Sequence, residues 1–244
     1  MQNKPTLNTA TIPPAVMNYL NQDPLLHITM IENLRWGWAE VLAHSPHGVA
    51  ARLVQIPEPV LLVAADSPKT ALELTTGIAE ADVVMTCHAN TAPPLAKRYG
   101  LKEIGTCYSL ARFTTQPLPV PDIGAEFRVL DVSHLDAVVA RYGNLHADHV
   151  RHRLAGGHIL GAFLQGELAG FIGEHEEHTL GMLEVLPEYR RRHVGAALVA
   201  EKINSQLAAG RVPMGHVYVD NQVSLGMQRK LGFEVSEDVV CWIS

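Results

Sequence analysis

The sequence has few cysteines, few aromatic residues and no long apolar run. Its three cysteines, Cys87, Cys107 and Cys241, are widely spaced, which fits reduced thiols and argues against a disulfide framework. No apolar stretch reaches the ~18 residues of a membrane span. Residues 1–20 lack an apolar core followed by a small-residue cleavage site, so no export signal is expected. We therefore predict a cytoplasmic protein without a membrane partner.

Basic charge is also scarce. The net charge is −6 with histidine neutral, from 19 Lys and Arg against 25 Asp and Glu, so no nucleic-acid partner is expected. No P-loop motif occurs, and the histidines of "HEEH" (175–178) stand three residues apart rather than the four of zinc proteases. Apolar residues make up 47%, which is enough for a substantial core.

A proline-rich segment divides the chain. Residues 114–127 hold three prolines and a glycine, a composition typical of a linker. We therefore predict two domains, covering residues 1–120 and 121–244.

Apolar periodicity and turn residues predict the elements of both halves. In the first half they predict a helix over 23–42, strands over 49–56 and 59–65, a helix over 67–81 capped by Ser67, a strand over 82–88, a helix over 92–100 and a strand over 103–113. In the second half they predict a strand over 126–132, a helix over 133–143 capped by Ser133, a helix over 146–157, three strands within 158–187, a helix over about 190–209, and a strand, helix and strand after Gly210.

The two halves contain a faint echo of each other. Residues 82–101 and 215–233 both run strand, Asn, helix, basic pair, Gly and an apolar residue. The halves could be copies of one fold, or two strand–helix–strand units could be alike by chance.

The most unusual local feature is "EVLPEYRRRHVGAALV" (184–199), with three consecutive arginines where a helix is expected to begin. The first N–H groups of a helix lack intrahelical partners and carry partial positive charge, so cations there are unfavourable unless an anion binds. A pyrophosphate would meet that expectation, and Gly195 and Ala196 would let it approach the backbone. The alternative is a solvated basic turn.

The segment resembles motif A of the GCN5-related N-acetyltransferases, in which a strand ending in V-x-P leads to a phosphate loop and a helix. The matching residues are Val185, Pro187, Arg190, His193, Gly195 and Leu198. A second motif of the same family, Asn-x-x-Ser followed by a basic residue and Gly-Phe, is matched by Asn221, Ser224, Lys230, Gly232 and Phe233.

This resemblance implies an α/β fold built of two tandem halves, each with a mixed, mostly antiparallel central sheet flanked by helices. Residues 1–120 resemble the degenerate first copy found in the glycine N-acyltransferase-like (FR47-like) branch. The resemblance also implies an N-acetyltransferase that uses acetyl-CoA or another acyl-CoA, without a metal. The expected acceptor is a primary amine of a small molecule or amino acid, and a homodimer is compatible with the sequence.

By the same resemblance, backbone groups of Leu183 and Val185 should bind the acyl carbonyl and the pantetheine arm. Asn221 and Ser224 should line the pantetheine side. The pyrophosphate should be held by the loop and first turn of the helix, namely Arg190, Arg191, Arg192, His193, Val194, Gly195 and Ala196.

The residues that would carry proton transfer are less well defined. Glu184 and His178 are the candidate bases, although the charges around His178 could equally be a solvated hairpin. Gln228 occupies the position where many family members place a Tyr that protonates the leaving thiolate, and His193 replaces a glycine of the phosphate loop. These two departures leave two alternatives open, a non-catalytic acyl-CoA sensor and a protein-modifying acetyltransferase.

A histidine series gives little support for a metal site. His146, His149 and His152 share one face of a predicted helix, but no Cys or acidic ligand is fixed nearby in the sequence. We expect them to border the acceptor cleft instead.

Overall fold

The computed structural model describes residues 12–54, 56, 58–141 and 147–244. His146 and the predicted helix stop at Gly143 lie outside them. The chain forms two compact units: one contains the described residues up to Phe113 together with Met214–Ser244, and the other contains Thr114–Pro213. The division into domains of residues 1–120 and 121–244 stays a prediction.

The first unit contains a seven-stranded sheet in the order β1-β2-β3-β4-β11-β5-β10, with one parallel pair, β3 and β4. Its strands are β1 (Ala39–Ser45), β2 (Gly48–Leu53), β3 (Val60–Ala65), β4 (Val83–Cys87), β5 (Ile104–Ala111), β10 (Met214–Tyr218) and β11 (Glu234–Ile243). Its helices are α1 (Pro14–Leu20), α2 (Ile28–Arg35), α3 (Pro68–Leu74), α4 (Ala92–Tyr99) and α8 (Gln222–Lys230).

Two apolar clusters form the core of this unit, and all three cysteines are buried within it. Val240 of β11 stands opposite Cys87 of β4 on one side and Cys107 of β5 on the other. A whole strand therefore separates these two thiols, which agrees with the expectation of free cysteines.

The second unit contains a four-stranded antiparallel sheet in the order β6-β7-β8-β9. Its strands are β6 (Glu126–Val129), β7 (Leu160–Leu164), β8 (Glu167–Glu174) and β9 (Leu180–Val185). Its helices are α5 (Leu135–Val139), α6 (Ala147–Ala155) and α7 (Val194–Ala208). The predicted mixed α/β class with mostly antiparallel strands is confirmed.

Two local predictions hold in atomic detail. Oγ of Ser67 accepts a hydrogen bond from the backbone N–H of Thr70, so Ser67 caps α3 as expected. Gly100 ends α4 in the left-handed conformation, with φ of 71°.

The predicted helix over 23–42 is wrong. Helix α2 ends at Arg35, and Gly37 follows with φ of 69°. The backbone N–H of Trp38 closes the helix by donating to the carbonyl of Asn33 at 2.8 Å. The remaining apolar residues then form β1, because Gly37 turns the chain out of the helix.

The cap assigned to Ser133 is also wrong. Asp131 caps the 3-10 turn Val132–His134 that leads into α5, and its Oδ1 accepts hydrogen bonds from both the backbone N–H and the hydroxyl of Ser133. A carboxylate is as good a cap as a hydroxyl, so the residue two positions upstream takes the role.

Within the described part of the chain, none of the helices combines the length and the apolar character that crossing a bilayer would require.

Candidate functional site

The arginine run lies in a loop before helix α7 rather than in its first turn. The prediction placed the helix start near residue 190, but α7 begins at Val194 with His193 as its N-cap. The first intrahelical bond runs from the N–H of Ala197 to the carbonyl of His193 at 3.0 Å. The His193 side chain makes no capping hydrogen bond. The first N–H groups of α7 are therefore left for another acceptor.

Two loop residues adopt a backbone conformation that favours glycine. Arg191 has φ of 58° and His193 has φ of 60°. A left-handed residue with a side chain costs roughly 1–2 kcal/mol. The motif places glycine at position 193, so the structure gives a backbone reason for that preference. The chain keeps this geometry with an exposed His193.

A pocket of about 340 Å³ opens at this helix start. It is lined by Val185, Tyr189, Arg190, Arg191, His193, Val194 and Gly195. A Cβ added to Gly195 would meet only Cγ2 of Val185, at 3.4 Å, so Gly or Ala fits there equally well. The partial positive charge of the helix start and the arginines make this pocket suited to an anion.

The backbone hydrogen-bonding groups of Leu183 and Val185, on strand β9, point away from the neighbouring strand β8. The N–H of Leu186 donates to the carbonyl of Ala169, so the groups of Leu186 and Glu184 face β8. Because successive residues of a strand turn their backbone groups to opposite sides, those of Leu183 and Val185 point to the other side of β9. Hydrogen-bonding groups on that side are what binding of an extended ligand arm requires.

A bulge interrupts this strand. The pairing of β8 with β9 slips between Phe171 and Gly173, where β9 carries one extra residue. Met182 stands in the bulge, buried, with φ of 52°. A left-handed, buried non-glycine residue is strained, and bulges of this kind redirect neighbouring backbone groups.

Arg190 is engaged by two groups of β9. Its Nη2 lies 3.1 Å from Oε1 of Glu184, and its Nε donates to the carbonyl of Val185 at 3.1 Å. The carbonyl of Val185, predicted to bind the ligand, is thus occupied by Arg190. Glu184, a candidate base, is thus paired with a candidate phosphate ligand.

The other two arginines are placed differently. The guanidinium of Arg192 stands over the ring of Tyr189 at 5.4 Å, a cation–π contact that holds the side chain near the pocket. Arg191 is exposed.

The hairpin between β8 and β9 is not a solvated group of charges. Glu174 and His178 are both buried, and His178 Nδ1 lies 3.2 Å from Glu174 Oε2. Lys202 Nζ lies 2.8 Å from Glu174 Oε1, and Arg211 holds both oxygens of Glu174. Despite its burial, the carboxyl of Glu174 has a pKa well below the usual value, because Lys202 and Arg211 stabilise its charged form. We call these four residues the Glu174 cluster.

Glu176, two residues after Glu174 in the same hairpin, forms a second group of ion pairs. Oε1 of Glu176 lies 3.2 Å from His149 Nδ1 and 3.0 Å from His152 Nδ1. Its Oε2 accepts from Arg153 at 3.0 Å, and Nε of Arg153 donates to the carbonyl of Glu174. The predicted histidine face of α6 therefore meets an acidic partner that the sequence did not reveal.

Burial keeps two histidines of this region neutral. It lowers the pKa of His178 to about 4 and that of His158 to about 2, and nearby cations act in the same direction. The two rings meet edge to face at 5.1 Å.

His158, Glu174 and His178 bring three potential metal-ligand atoms within 4.8 Å of one another. Both Glu174 oxygens, however, already accept from cations, and a divalent ion would stand beside Lys202 and Arg211. Repulsion between unit charges 4 Å apart is about 4 kcal/mol at an effective dielectric constant of 20. Charge balance therefore favours an ion-pair cluster here, and the expectation that the chain binds no metal stays a prediction.

The second motif lies in the first compact unit. Asn221 caps α8, with its Oδ1 accepting from the N–H of Ser224 at 3.0 Å. Gln228 stands on the same helix, and its Oε1 is buried without a hydrogen-bond partner among the described residues. An orphaned buried acceptor of this kind marks a place where a donor from a ligand or a water is expected.

Residues 159–243, from the start of β7 to the end of β11, match the family model described as FR47-like protein. No curated protein is similar enough to the chain to give a match.

Several solved structures share the fold. A Drosophila protein has a TM-score of 0.61 at 18% identity, over 93% of this chain and 85% of that one. A GCN5-related N-acetyltransferase from Sphaerobacter thermophilus has a TM-score of 0.54 at 16% identity, over 95% and 91%. A GCN5-related N-acetyltransferase-like protein from Streptococcus suis has a TM-score of 0.54 at 13% identity, over 93% and 99%.

The glycine N-acyltransferase-like branch and the degenerate first copy stay predictions. The chain shares the fold of solved GCN5-related N-acetyltransferases, and its residues 159–243 match the FR47-like family model.

Proposed function

We propose that this protein is an N-acyltransferase that moves an acyl group, acetyl first of all, from acyl-CoA to the primary amine of a small molecule or amino acid. The observation that carries the proposal is the pocket at the start of α7, where Arg190, Arg191 and the first N–H groups of the helix meet inside the FR47-like match. That combination suits a diphosphate.

In this proposal each part of CoA has a partner. The diphosphate lies against the N–H groups of Val194, Gly195 and Ala196, with Arg190 or Arg192 adding charge-assisted hydrogen bonds. The pantetheine arm and acyl carbonyl run along the side of β9 that carries the backbone groups of Leu183 and Val185. The roles of Asn221 and Ser224, which lie in the other compact unit, stay predictions.

The reaction is a direct attack. The amine nitrogen bonds to the thioester carbonyl carbon, the carbon–sulfur bond breaks, CoA leaves as a thiolate, and the amine loses one proton to a base. An alkyl amine has a pKa near that of lysine, so roughly one molecule in a thousand is neutral at pH 7, a deficit of about 4 kcal/mol. A positioned base offsets part of this.

Glu184 is the stronger candidate for the base. It lies on β9 between the two proposed acyl-CoA contacts and is about one quarter exposed. His178 is buried, hydrogen-bonded to Glu174, and its pKa of about 4 makes it a weak proton acceptor. Gln228, predicted as the third catalytic residue, lies in the other compact unit, and its amide can donate a hydrogen bond but cannot give up a proton.

A non-catalytic acyl-CoA sensor is the second candidate. Gln228 favours it, because the family position that often supplies a proton here supplies only an amide. His193, strained in the position of a loop glycine, points in the same direction.

The first experiment is calorimetric titration with acetyl-CoA, followed by measurement of CoA thiol release across a panel of small amines, amino acids and lysine peptides. Thiol release above background with small amines supports the proposal. Binding without turnover on the whole panel favours the sensor, and turnover on lysine peptides alone favours a protein-modifying enzyme.

The second experiment tests the diphosphate assignment. Arg190→Ala with Arg192→Ala should weaken binding of CoA by at least tenfold and should not weaken binding of pantetheine, which lacks the diphosphate. Lys69→Ala with Arg151→Ala removes the same charge from two exposed positions elsewhere and is the matched control. Equal losses for CoA and pantetheine would refute the assignment.

A further inference from the structure

Arg190 lies between two sets of acceptors, the groups of β9 that it now binds and the pocket at the start of α7. Its Nε and Nη2 are engaged by the Val185 carbonyl and the Glu184 carboxylate, and the same side chain lines the pocket at the start of α7. The contact is not locked by burial, since the side chain of Arg190 is 59% exposed and that of Glu184 is 26% exposed. The guanidinium is therefore free to exchange partners.

We infer that Glu184 and the diphosphate of acyl-CoA compete for Arg190, so that binding of acyl-CoA releases the Glu184 carboxylate. The inference rests on the proposed function and adds to it a coupling between cofactor binding and the candidate base. Without cofactor, Arg190 holds Glu184 and covers the Val185 carbonyl. With cofactor, Arg190 turns to the diphosphate, and both groups become available.

The direction of the exchange follows from charge. Glu184 offers one negative charge at the partly exposed edge of a strand, where an ion pair is weak. A diphosphate offers two charges and several acceptor oxygens, and it is held in addition by the N–H groups of α7. Arg190 therefore moves toward the diphosphate when it is present.

The consequence is an order of events. While Arg190 donates to it, Oε1 of Glu184 is engaged and less available to the N–H of an incoming amine. Release by acyl-CoA makes the carboxylate available only when a thioester is in place. Glu184 is then the catalytic base of the proposed reaction. Arg190 is a positioning residue that releases Glu184 when acyl-CoA binds.

Coupling of this kind is reciprocal: if acyl-CoA weakens the Glu184–Arg190 pair, the pair must weaken acyl-CoA binding by the same factor. Glu184→Gln should therefore tighten binding of CoA, by about two- to fivefold for a partly exposed pair. Dephospho-CoA keeps the diphosphate and loses only the 3′-phosphate, so it should gain by the same factor. Pantetheine should gain nothing.

The control must separate this exchange from a general effect of charge. Glu188→Gln removes one negative charge from the exposed turn that follows β9 and keeps both Glu184 and Arg190. The decisive experiment is a cycle of dissociation constants for CoA over the wild type, Glu184→Gln, Arg190→Ala and the double variant, with Glu188→Gln beside them and circular dichroism to confirm folding.

A gain from Glu184→Gln that exceeds that of Glu188→Gln, and that disappears when Arg190 is Ala, supports the inference. A gain equal to that of Glu188→Gln, or one that persists without Arg190, overturns it while leaving acyl-CoA binding intact. A wild-type protein that binds no CoA removes the proposed function itself, and the inference with it.

Discussion

His178 Nδ1 lies 3.2 Å from Oε2 of Glu174, and both side chains are almost completely buried at the end of strand β8. Lys202 and Arg211 complete the arrangement by holding the oxygens of the same carboxylate. The cluster joins the β8–β9 hairpin to helix α7 and to the segment that follows it. The position of β9, and with it the proposed acyl-CoA site, therefore depends on a buried ion-pair cluster.

Removing the charge of Glu174 should destabilise the protein strongly. Glu174→Gln leaves Lys202 and Arg211 buried without their counter-charge, a change that typically costs about 3–5 kcal/mol. Urea denaturation measures the loss in the free energy of unfolding. Glu188→Gln, an exposed change of the same kind, should stay within about 0.5 kcal/mol of the wild type. A loss below about 1 kcal/mol for Glu174→Gln would show that the cluster is solvated.

The protein should lose stability in mild acid. Burial places the pKa of His178 at about 4 and that of His158 at about 2, both below the unfolded value near 6.5. The unfolded chain then binds more protons than the folded one below pH 6.5, so stability falls as pH decreases, by up to about 1.4 kcal/mol per pH unit for each histidine. Unfolding curves between pH 8 and pH 4.5 measure the slope.

The matching variant is His178→Asn, since Asn tolerates the left-handed backbone at this position and does not titrate. This variant should take up about one proton fewer on unfolding, so the free energy of unfolding should fall less steeply as the pH decreases. His44→Gln, an exposed histidine of β1, should leave the slope unchanged. An unaltered slope in His178→Asn would mean that His178 is already charged in the folded protein.

Restoring glycine to the phosphate loop should stabilise the protein. His193→Gly removes a side chain from a residue with φ of 60°, and the gain should be up to about 1 kcal/mol after the extra entropy of glycine in the unfolded state is subtracted. Thermal and urea unfolding measure it. Ala196→Gly, in the first turn of α7, should instead destabilise by about 0.5–1 kcal/mol. A loss of stability in both variants would argue that the His193 side chain stabilises the loop.

Metal removal should change nothing. Lys202 and Arg211 already satisfy Glu174, so the melting temperature should be the same in EDTA and in excess Zn²⁺. A rise with Zn²⁺ that disappears in a His158→Gln variant would identify the cluster as a metal site after all.

Sequence patterns predicted what depends on local chemistry. The cap at Ser67 and the stop at Gly100 follow from residues close together in the chain, whereas the start predicted near residue 190 for α7 lies at Val194. The helix predicted over 23–42 is too long because apolar residues continue past Gly37, whose positive φ turns the chain out of α2.

The charge network could not be predicted in the same way. Glu174 finds its partners at residues 202 and 211, and Glu176 finds Arg153 on α6, so the pairing depends on tertiary contacts. Residues 174–178 alone, a run of glutamates and histidines, resemble a solvated turn. Their burial becomes understandable only with the cations that come from distant parts of the chain. The pair between Glu184 and Arg190 was missed because the turn over 187–189 brings them together across six positions.

The burial of all three cysteines has a practical consequence for the assays. Cys87, Cys107 and Cys241 are each at most 3% exposed, so a thiol reagent should detect liberated CoA against a low signal from the folded protein. A single cysteine placed at exposed Ala196 should then react selectively. A fluorophore attached there would sit at the mouth of the proposed diphosphate pocket and give an optical signal for its occupancy.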